Sequence, residues 1–220
     1  SPKNVKQIID TFNYIGISID GIEQIHDYFR GQKGAYEKSI DAIKLIQENG
    51  GNAGIRFTLT KETQNSFYAM FDLVEKLNVN KLYISHLVYS GRGEENLEID
   101  ISKEQRREYV EFIINKAFEY YEEGKEIDLV TGNMEMDAIL LLKEFQKRFP
   151  SYAQTLKDKL LSWGGNSAGN RLGNMDWLGN VKPDPFFPFT VGNYLQEDFD
   201  TIWLNKENPL LENLRTTPRD

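Results

Sequence analysis

The sequence predicts an α/β protein that forms part of a (β/α) barrel and carries a small C-terminal α+β extension. Short apolar β-rich runs alternate four times with amphipathic helices, a pattern typical of a parallel sheet with helical crossovers. The motifs GxGxxG and GxxxxGK[ST] are absent, which disfavours a doubly wound nucleotide-binding sheet. After Trp163 the composition shifts to Gly, Asn, Pro and aromatic residues. We therefore expect a barrel portion in residues 1–162 and the start of a second domain in residues 163–220.

Each predicted unit of the barrel is one strand followed by one helix. The second helix has the clearest periodicity, because its apolar residues between Phe67 and Leu77 recur at helical spacing. Ser102 is a typical N-cap for the long third helix, and Asn65 or Ser66 can cap the second. The strands are predicted at residues 14–19, 52–60, 81–88 and 126–130. A polar loop is predicted between the first strand and the helix at 35–48, and a turn at 131–133. Further helices are predicted at 5–12, 67–77 and 151–161, together with a long helix that begins at 103 and extends beyond 121 and another that ends near 148. In the extension, residues 171–182 predict a hairpin, and residues 199–204 and 209–214 predict short helices.

Composition excludes several classes of function. The chain has 220 residues, a net charge of -8 and no cysteine, so disulfides, thiolate zinc sites and cysteine-ligated iron–sulfur clusters cannot be formed by its own residues. The acidic balance disfavours nucleic acid as a partner. No membrane span or signal peptide is visible, and we expect a cytoplasmic protein. The chain does not begin with Met, and we expect it to be a segment of a longer enzyme.

Polar residues gather where the predicted strands end. In parallel βα architectures this edge of the sheet holds the ligand. The set suits a ligand with hydroxyl and carboxylate groups, because arginine pairs with a carboxylate through two hydrogen bonds. It contains neither a Ser/His/Asp triad nor a pair of catalytic carboxylates. The candidates are Ser18, Asp20, Arg56, Thr58, Thr60, His86, residues 90–93 with Arg92, Thr131 and Asn133.

Purely structural interpretations of these residues remain open. Asp20 could belong to a turn, Arg56 could pair with an acid inside the barrel, and His86 could be a core histidine. Residues 90–93 could form a plain flexible loop. His26, Asp27 and Arg30 could form a solvated helical turn or a structural clasp, and the clasp is favoured.

Two stretches resemble the radical SAM enzymes with a SPASM-type C-terminal domain. The first contains Ser18-Ile19-Asp20-Gly21, His26-Asp27, Arg30-Gly31, Gly34 and Tyr36, and it corresponds to the fourth barrel strand and the following loop of that family. The second contains GGNSAG at 164–169, GNVKPDPF at 179–186, VGN at 191–193, FDTIW at 199–203 and NPLL at 208–211. With YSGRG at 89–93 and TGN at 131–133, it is most similar to the tetrapyrrole-modifying branch, which acts on didecarboxysiroheme on the routes to heme d1 or heme.

The resemblance implies specific roles. Ser18 and Asp20 would lie against the ribose and amino-acid portion of S-adenosylmethionine (SAM), and Arg56 near its carboxylate. His86 and Arg92 would face the tetrapyrrole substrate. It further implies a 4Fe-4S cluster whose ligands lie outside this segment, and an electron donor such as ferredoxin or flavodoxin. Many SPASM domains have Pro-Cys where this chain has Pro183-Asp184.

Other functions stay open at this stage. One is a radical SAM/SPASM peptide or sulfatase maturase. Another is a cluster-free binding scaffold with the same fold, and a third is an unrelated TIM barrel with a small β appendage.

Overall fold

The computed structural model describes residues 2–90, 97–132 and 135–216, and its central element is a four-stranded parallel sheet with strand order β1-β2-β3-β4. The strands are β1 (Ile15–Ser18), β2 (Ala53–Leu59), β3 (Lys81–His86) and β4 (Asp128–Gly132). The helices of this part are α1 (Pro2–Thr11), α2 (Gln24–Arg30), α3 (Ala35–Glu48), α4 (Phe67–Lys76), α5 (Lys103–Glu122) and α6 (Met136–Arg148). Consecutive parallel strands linked through helices form a partial barrel, so the predicted fold class is confirmed.

The sheet has two faces of opposite character, because side chains alternate along each strand. One face packs against the helices and is called the covered face; the other is called the open face. On the central strands β2 and β3 the residues of the covered face are buried, whereas those of β1 and β4 are partly buried. Together with the helices they form the main core. This core includes Ile55, Phe57, Leu59, Leu82 and Ile84 from the strands and Ile43, Phe67, Met70, Val74 and Ile113 from the helices.

Local signals fix several helix ends. The Ser102 hydroxyl accepts a hydrogen bond from the Gln105 N–H, and the Gln105 side chain accepts one from the Ser102 N–H, so the predicted cap is a complete capping box. Residues 24–30, predicted as a loop, form the short helix α2, which ends at Gly31 in a left-handed conformation.

Two local predictions are wrong. Thr131 and Gly132 belong to β4 rather than to a turn, because they pair with Ile84 and Ser85 of β3. Ser66, predicted as a possible helix cap, has no capping hydrogen bond. Its hydroxyl instead accepts a hydrogen bond from the Ile22 N–H at 3.0 Å.

The chain divides into two units, one of Ser1–Tyr89 with Glu95–Glu144 and the other of Ser90–Glu94 with Phe145–Asp220. This division falls earlier than residue 163, and the domain assignment on either side of that residue stays a prediction. The second unit contains α7 (Ala153–Trp163), β5 (Asn174–Met175), β6 (Asn180–Lys182), β7 (Gly192–Asn193), α8 (Phe199–Trp203) and α9 (Pro209–Thr216).

The predicted hairpin of the second unit is confirmed, because β5 and β6 pair antiparallel. Its turn is held by the Asp176 carboxylate, which accepts hydrogen bonds from the N–H groups of Leu178 and Asn180. The third strand, β7, was not predicted, since its two residues are Gly and Asn, which are depleted in strands. No helix in the described ranges has the length and apolar character needed to cross a membrane.

Candidate functional site

The open face of the sheet places polar residues of neighbouring strands in rows. The strand register aligns Ser18 with Arg56, and Arg56 with Tyr83. One row closer to the carboxyl edge, Thr58 aligns with Ser85. Because neighbours in register on a parallel sheet point to the same side, these five side chains share one surface. The surface presents hydroxyls around a single guanidinium group.

Arg56 is the most prominent cation of the open face. Its side chain is exposed, and its guanidinium carbon lies 4.5 Å from the centroid of the Tyr83 ring. Its aliphatic stem crosses to β1, where a Cβ atom on Gly16 would lie 2.9 Å from the Arg56 Cδ. Among the described residues no carboxylate lies within ion-pair distance of Arg56. The alternative of an internal salt bridge is therefore not what the described structure shows.

A second cation, Lys81, and a second tyrosine, Tyr14, lie on the same face near the amino ends of the strands. The Lys81 Nζ is 5.0 Å from the centroid of the Tyr14 ring and 3.5 Å from the Asp128 carboxylate. The Tyr14 hydroxyl occupies the space beside Gly54, where a Cβ would lie 2.5 Å from it. Burial raises the pKa of Tyr14, and the Arg56 charge opposes that rise. Tyr14 is therefore a neutral phenol at physiological pH.

Sequence reasoning missed the tyrosines and Ser85, although the sequence carries a signal for them. Glycine stands at three open-face positions, Gly16, Gly54 and Gly132, in otherwise β-prone strands. A glycine inside a strand often marks the close approach of another group. Here the approaching groups are the side chains of Arg56, Tyr14 and Tyr83 in turn.

Asp20 is a buried node rather than an exposed ligand. It is only 1% exposed and lies two residues after the end of β1. One carboxylate oxygen accepts a hydrogen bond from the Thr58 N–H at 2.9 Å, and the other pairs with the Arg30 guanidinium. Its own N–H donates to His26 Nδ1 at 2.9 Å. Asp20 thus fastens the loop after β1 to strand β2, beside the open face.

The same loop is fixed by two further residues, as the clasp interpretation predicted. Burial lowers the pKa of His26, with the nearby Asp20 acting in the opposite direction, and the neutral ring can accept at Nδ1. The Asp27 carboxylate accepts from the N–H groups of Gly34 at 2.5 Å and Tyr36 at 2.9 Å. These hydrogen bonds hold the pKa of Asp27 below its ordinary value. The predicted clasp is confirmed.

The structure does not bring His86 together with Arg56. His86 is 2% exposed and lies on the covered face, where its Nε2 is 2.8 Å from the Asp137 carboxylate of α6. The reason is alternation, because Tyr83 and Ser85 face the open side and the next residue must face the helices. Direct contact of His86 with a substrate on the open face is therefore not supported by its position.

Other predicted residues fall into three groups. Arg92 and Asn133 lie outside the described residues. Thr60 is buried in the turn after β2, where its N–H donates to the Thr63 hydroxyl at 2.9 Å. Asp184 is buried in the second unit and accepts from the Phe186 N–H at 2.7 Å, which stabilises a local turn. In the described ranges no cluster of three or more His, Cys, Asp or Glu residues could hold a metal ion.

Two curated proteins have similar sequences along most of this chain. The chain is 37% identical over 94% of its length to pre-heme d1 synthase of Dinoroseobacter shibae, covering 52% of that protein. It is 31% identical over 97% of its length to Fe-coproporphyrin III synthase of Methanosarcina barkeri, covering 53% of that protein. The chain thus spans about half the length of these curated relatives. No protein-family model matches it.

Solved structures with a similar fold are radical SAM enzymes. Native anSMEcpe with bound AdoMet superposes with a TM-score of 0.66 at 14% identity, covering 97% of this chain and 56% of that one. SuiB of Streptococcus suis bound to S-adenosylmethionine gives a TM-score of 0.63 at 13% identity, covering 92% and 44%. The resemblance to the radical SAM family, and within it to the tetrapyrrole-modifying branch, is confirmed.

Proposed function

We propose that this chain is the rear barrel portion and the beginning of the C-terminal domain of a radical SAM enzyme that modifies tetrapyrrole side chains. The observation that carries the proposal is the guanidinium of Arg56, which is exposed on the open face and has no carboxylate partner among the described residues. The chain that presents it is related to pre-heme d1 synthase. The role of the segment is to supply binding loops for SAM and for the substrate. Its reaction belongs to the biosynthesis of heme or heme d1.

The residues of the open face fit SAM as a cofactor. SAM presents an amino-acid carboxylate, which suits the planar fork of Arg56, and a ribose diol, which suits the exposed hydroxyl of Ser18. Asp20 contributes by fastening the loop beside Ser18, since its oxygens already serve Thr58 and Arg30. When bound, SAM supplies the radical chemistry, whereas these residues orient it and keep water away.

The residues of this chain do not fit a 4Fe-4S cluster. Such clusters are held by cysteine thiolates, and the sequence contains none. In the proposed enzyme the ligands of the cluster are therefore residues other than these 220.

The substrate proposed is a tetrapyrrole with carboxylate side chains, such as didecarboxysiroheme. Arg92 is proposed to pair with one of these carboxylates. His86 is proposed to act at a distance, by fixing the end of β3 through Asp137. A cytoplasmic electron donor such as ferredoxin or flavodoxin would reduce the enzyme, and neither nucleic acid nor membrane is needed as a partner.

The alternative of peptide or sulfatase maturation has weaker support. It is suggested by structural neighbours of 13–14% identity, and these show the fold alone.

The test uses the full-length polypeptide purified anaerobically, with didecarboxysiroheme as substrate. We expect SAM cleavage to 5′-deoxyadenosine that depends on the tetrapyrrole, together with measurable binding of S-adenosylhomocysteine. Arg56→Ala should weaken that binding about ten-fold or more, since a bidentate charged pair is lost. Arg107→Ala is the matched control, because Arg107 lies exposed on α5, where it pairs with Glu111 on the same helix. Equal affinity of both variants for S-adenosylhomocysteine, or SAM cleavage that does not depend on the tetrapyrrole, would overturn the proposal.

A further inference from the structure

The Tyr83 side chain forms a platform beneath the guanidinium of Arg56. We infer that Tyr83 is a positioning residue that holds the Arg56 fork toward the carboxylate of the ligand on the open face. The inference rests on the proposed function, because the ligand is taken to be SAM. Its basis is the separation of 4.5 Å between the guanidinium carbon and the ring centroid. At this distance a cation is attracted by the negative face of the ring.

The position of the Tyr83 ring depends on a glycine in the neighbouring strand. Tyr83 extends across β4, and its hydroxyl occupies the space where a side chain at position 132 would begin. Gly132 pairs in register with Ser85 and therefore lies on the same face as Tyr83. The space for the Tyr83 hydroxyl exists because Gly132 lacks a Cβ. The direction of the Tyr83 ring is thus determined by the neighbouring strand.

The stem of Arg56 is restricted on the opposite side. Its Cγ and Cδ lie 3.2 Å and 2.9 Å from the position of a Cβ on Gly16, so the chain of methylenes fills that space. An arginine side chain ordinarily loses much rotamer freedom when it binds a ligand. With its stem over Gly16 and its head over Tyr83, Arg56 has lost part of that freedom before the ligand arrives. We therefore expect Tyr83 to improve affinity for ligands that contain a carboxylate.

This role differs from a general packing role in one measurable respect. A platform for Arg56 affects only the carboxylate, whereas a packing defect affects every ligand of the site. S-adenosylhomocysteine carries the amino-acid carboxylate, and 5′-methylthioadenosine has the same nucleoside without it. The ratio of the two dissociation constants therefore reports on recognition of the amino-acid portion, and a change caused at Tyr83 acts on that portion through the Arg56 fork.

The experiment measures both dissociation constants for the full-length enzyme and for Tyr83→Phe and Tyr83→Leu. Phenylalanine keeps the ring, whereas leucine removes it. We expect Tyr83→Leu to reduce the preference for S-adenosylhomocysteine about five-fold, the effect of losing one cation–ring contact and its ordering. Tyr83→Phe should retain the preference of the wild type. Affinity for 5′-methylthioadenosine should stay unchanged in both, which also shows that the variants are folded.

Failure of the positioning role and failure of the proposed function give different results. Equal weakening of both ligands by Tyr83→Leu, or no change in their ratio, would overturn the positioning role and leave SAM binding intact. If the wild-type enzyme binds neither nucleoside, the proposed function fails and the inference fails with it. A loss of preference in Tyr83→Phe as well as in Tyr83→Leu would also contradict the inference, because the ring alone should suffice.

Discussion

The covered and open faces of the parallel sheet are made from the same strands but obey different rules. On the covered face the apolar side chains of β2 and β3 are buried, and even a histidine is held there by a carboxylate of α6. On the open face glycines alternate with arginine, tyrosine and hydroxyl residues, and the large side chains lie across neighbouring strands. Consecutive residues such as Phe57 and Thr58 therefore belong to different environments. We therefore expect the covered face to determine stability and the open face to determine binding.

The largest effect is expected from the covered face. Phe57 has no exposed surface, so Phe57→Ala should lower the free energy of unfolding by about 4 kcal/mol, through lost burial and the cavity left behind. The next residue provides the control, since Thr58→Ala alters a half-buried hydroxyl of the open face and should cost under about 1 kcal/mol. Urea denaturation of both variants measures the difference. Similar losses in the two would contradict the division of roles between the faces.

The next effect concerns the node between the two faces. Asp20→Ala removes the acceptor of the Thr58 N–H and should cost about 2 kcal/mol, because a buried donor is left without a partner. Arg30→Ala removes only the partially exposed side of the same network and should cost under about 1 kcal/mol. Thermal unfolding compares the two variants. If Arg30→Ala proves the more harmful, the node depends on charge rather than on the backbone contact.

A smaller effect should appear as a dependence of stability on pH. The pKa of His26 in the folded state is lowered from its ordinary value of 6.5, mainly by burial. The folded state therefore binds fewer protons than the unfolded state below that value. This contribution to stability is complete above pH 6.5 and declines as the pH falls through 6.5 toward the folded pKa.

The variant His26→Asn isolates this contribution. The Asn side-chain oxygen can accept the Asp20 N–H in place of Nδ1 but does not titrate. We expect the midpoint of thermal unfolding to fall less between pH 7 and pH 5 in the variant than in the wild type, a window that brackets the ordinary pKa. Parallel curves for the two proteins would assign the whole dependence to groups other than His26.

The smallest effect on stability is expected at Gly132. Gly132→Ala places a methyl group against the Tyr83 hydroxyl, which is the far end of a side chain and can move. The free energy of unfolding should change by less than about 1 kcal/mol, whereas the preference for S-adenosylhomocysteine over 5′-methylthioadenosine should fall. Denaturation and ligand binding measured on one preparation separate these effects. A large loss of stability would show that the Tyr83 ring is fixed by packing as firmly as the covered face.

Much of the fold could be predicted from the sequence because hydrophobic period and turn chemistry act locally. The α3 and α4 helices and the strands β1 to β3 lie close to their predicted bounds, and Ser102 begins its helix with the predicted cap. The short helix α2 was missed because its residues, from Gln24 to Arg30, are mostly polar. Its formation depends on contacts of His26 and Asp27 with residues farther along the chain.

The candidate site was predicted only in part. The edge of the sheet could be located from strand order, and Arg56 and Ser18 do lie together on one face. His86 shares the strand end predicted for the site, but the alternation of side chains along β3 turns it to the covered face. Tyr14 and Tyr83 could not be placed, since their directions depend on glycines in neighbouring strands and therefore on register.

The packing of a tyrosine from one strand over a glycine of the next also constrains how the sequence can evolve. Tyr14 of the β1 side fills the room that Gly54 leaves on β2, and Tyr83 fills the room that Gly132 leaves on β4. Each tyrosine and its glycine should therefore vary together, because enlarging the glycine displaces the tyrosine ring. In homologous proteins a bulkier residue at position 54 should accompany a smaller one at position 14, so that covariation between these columns would reveal the strand register without any structure.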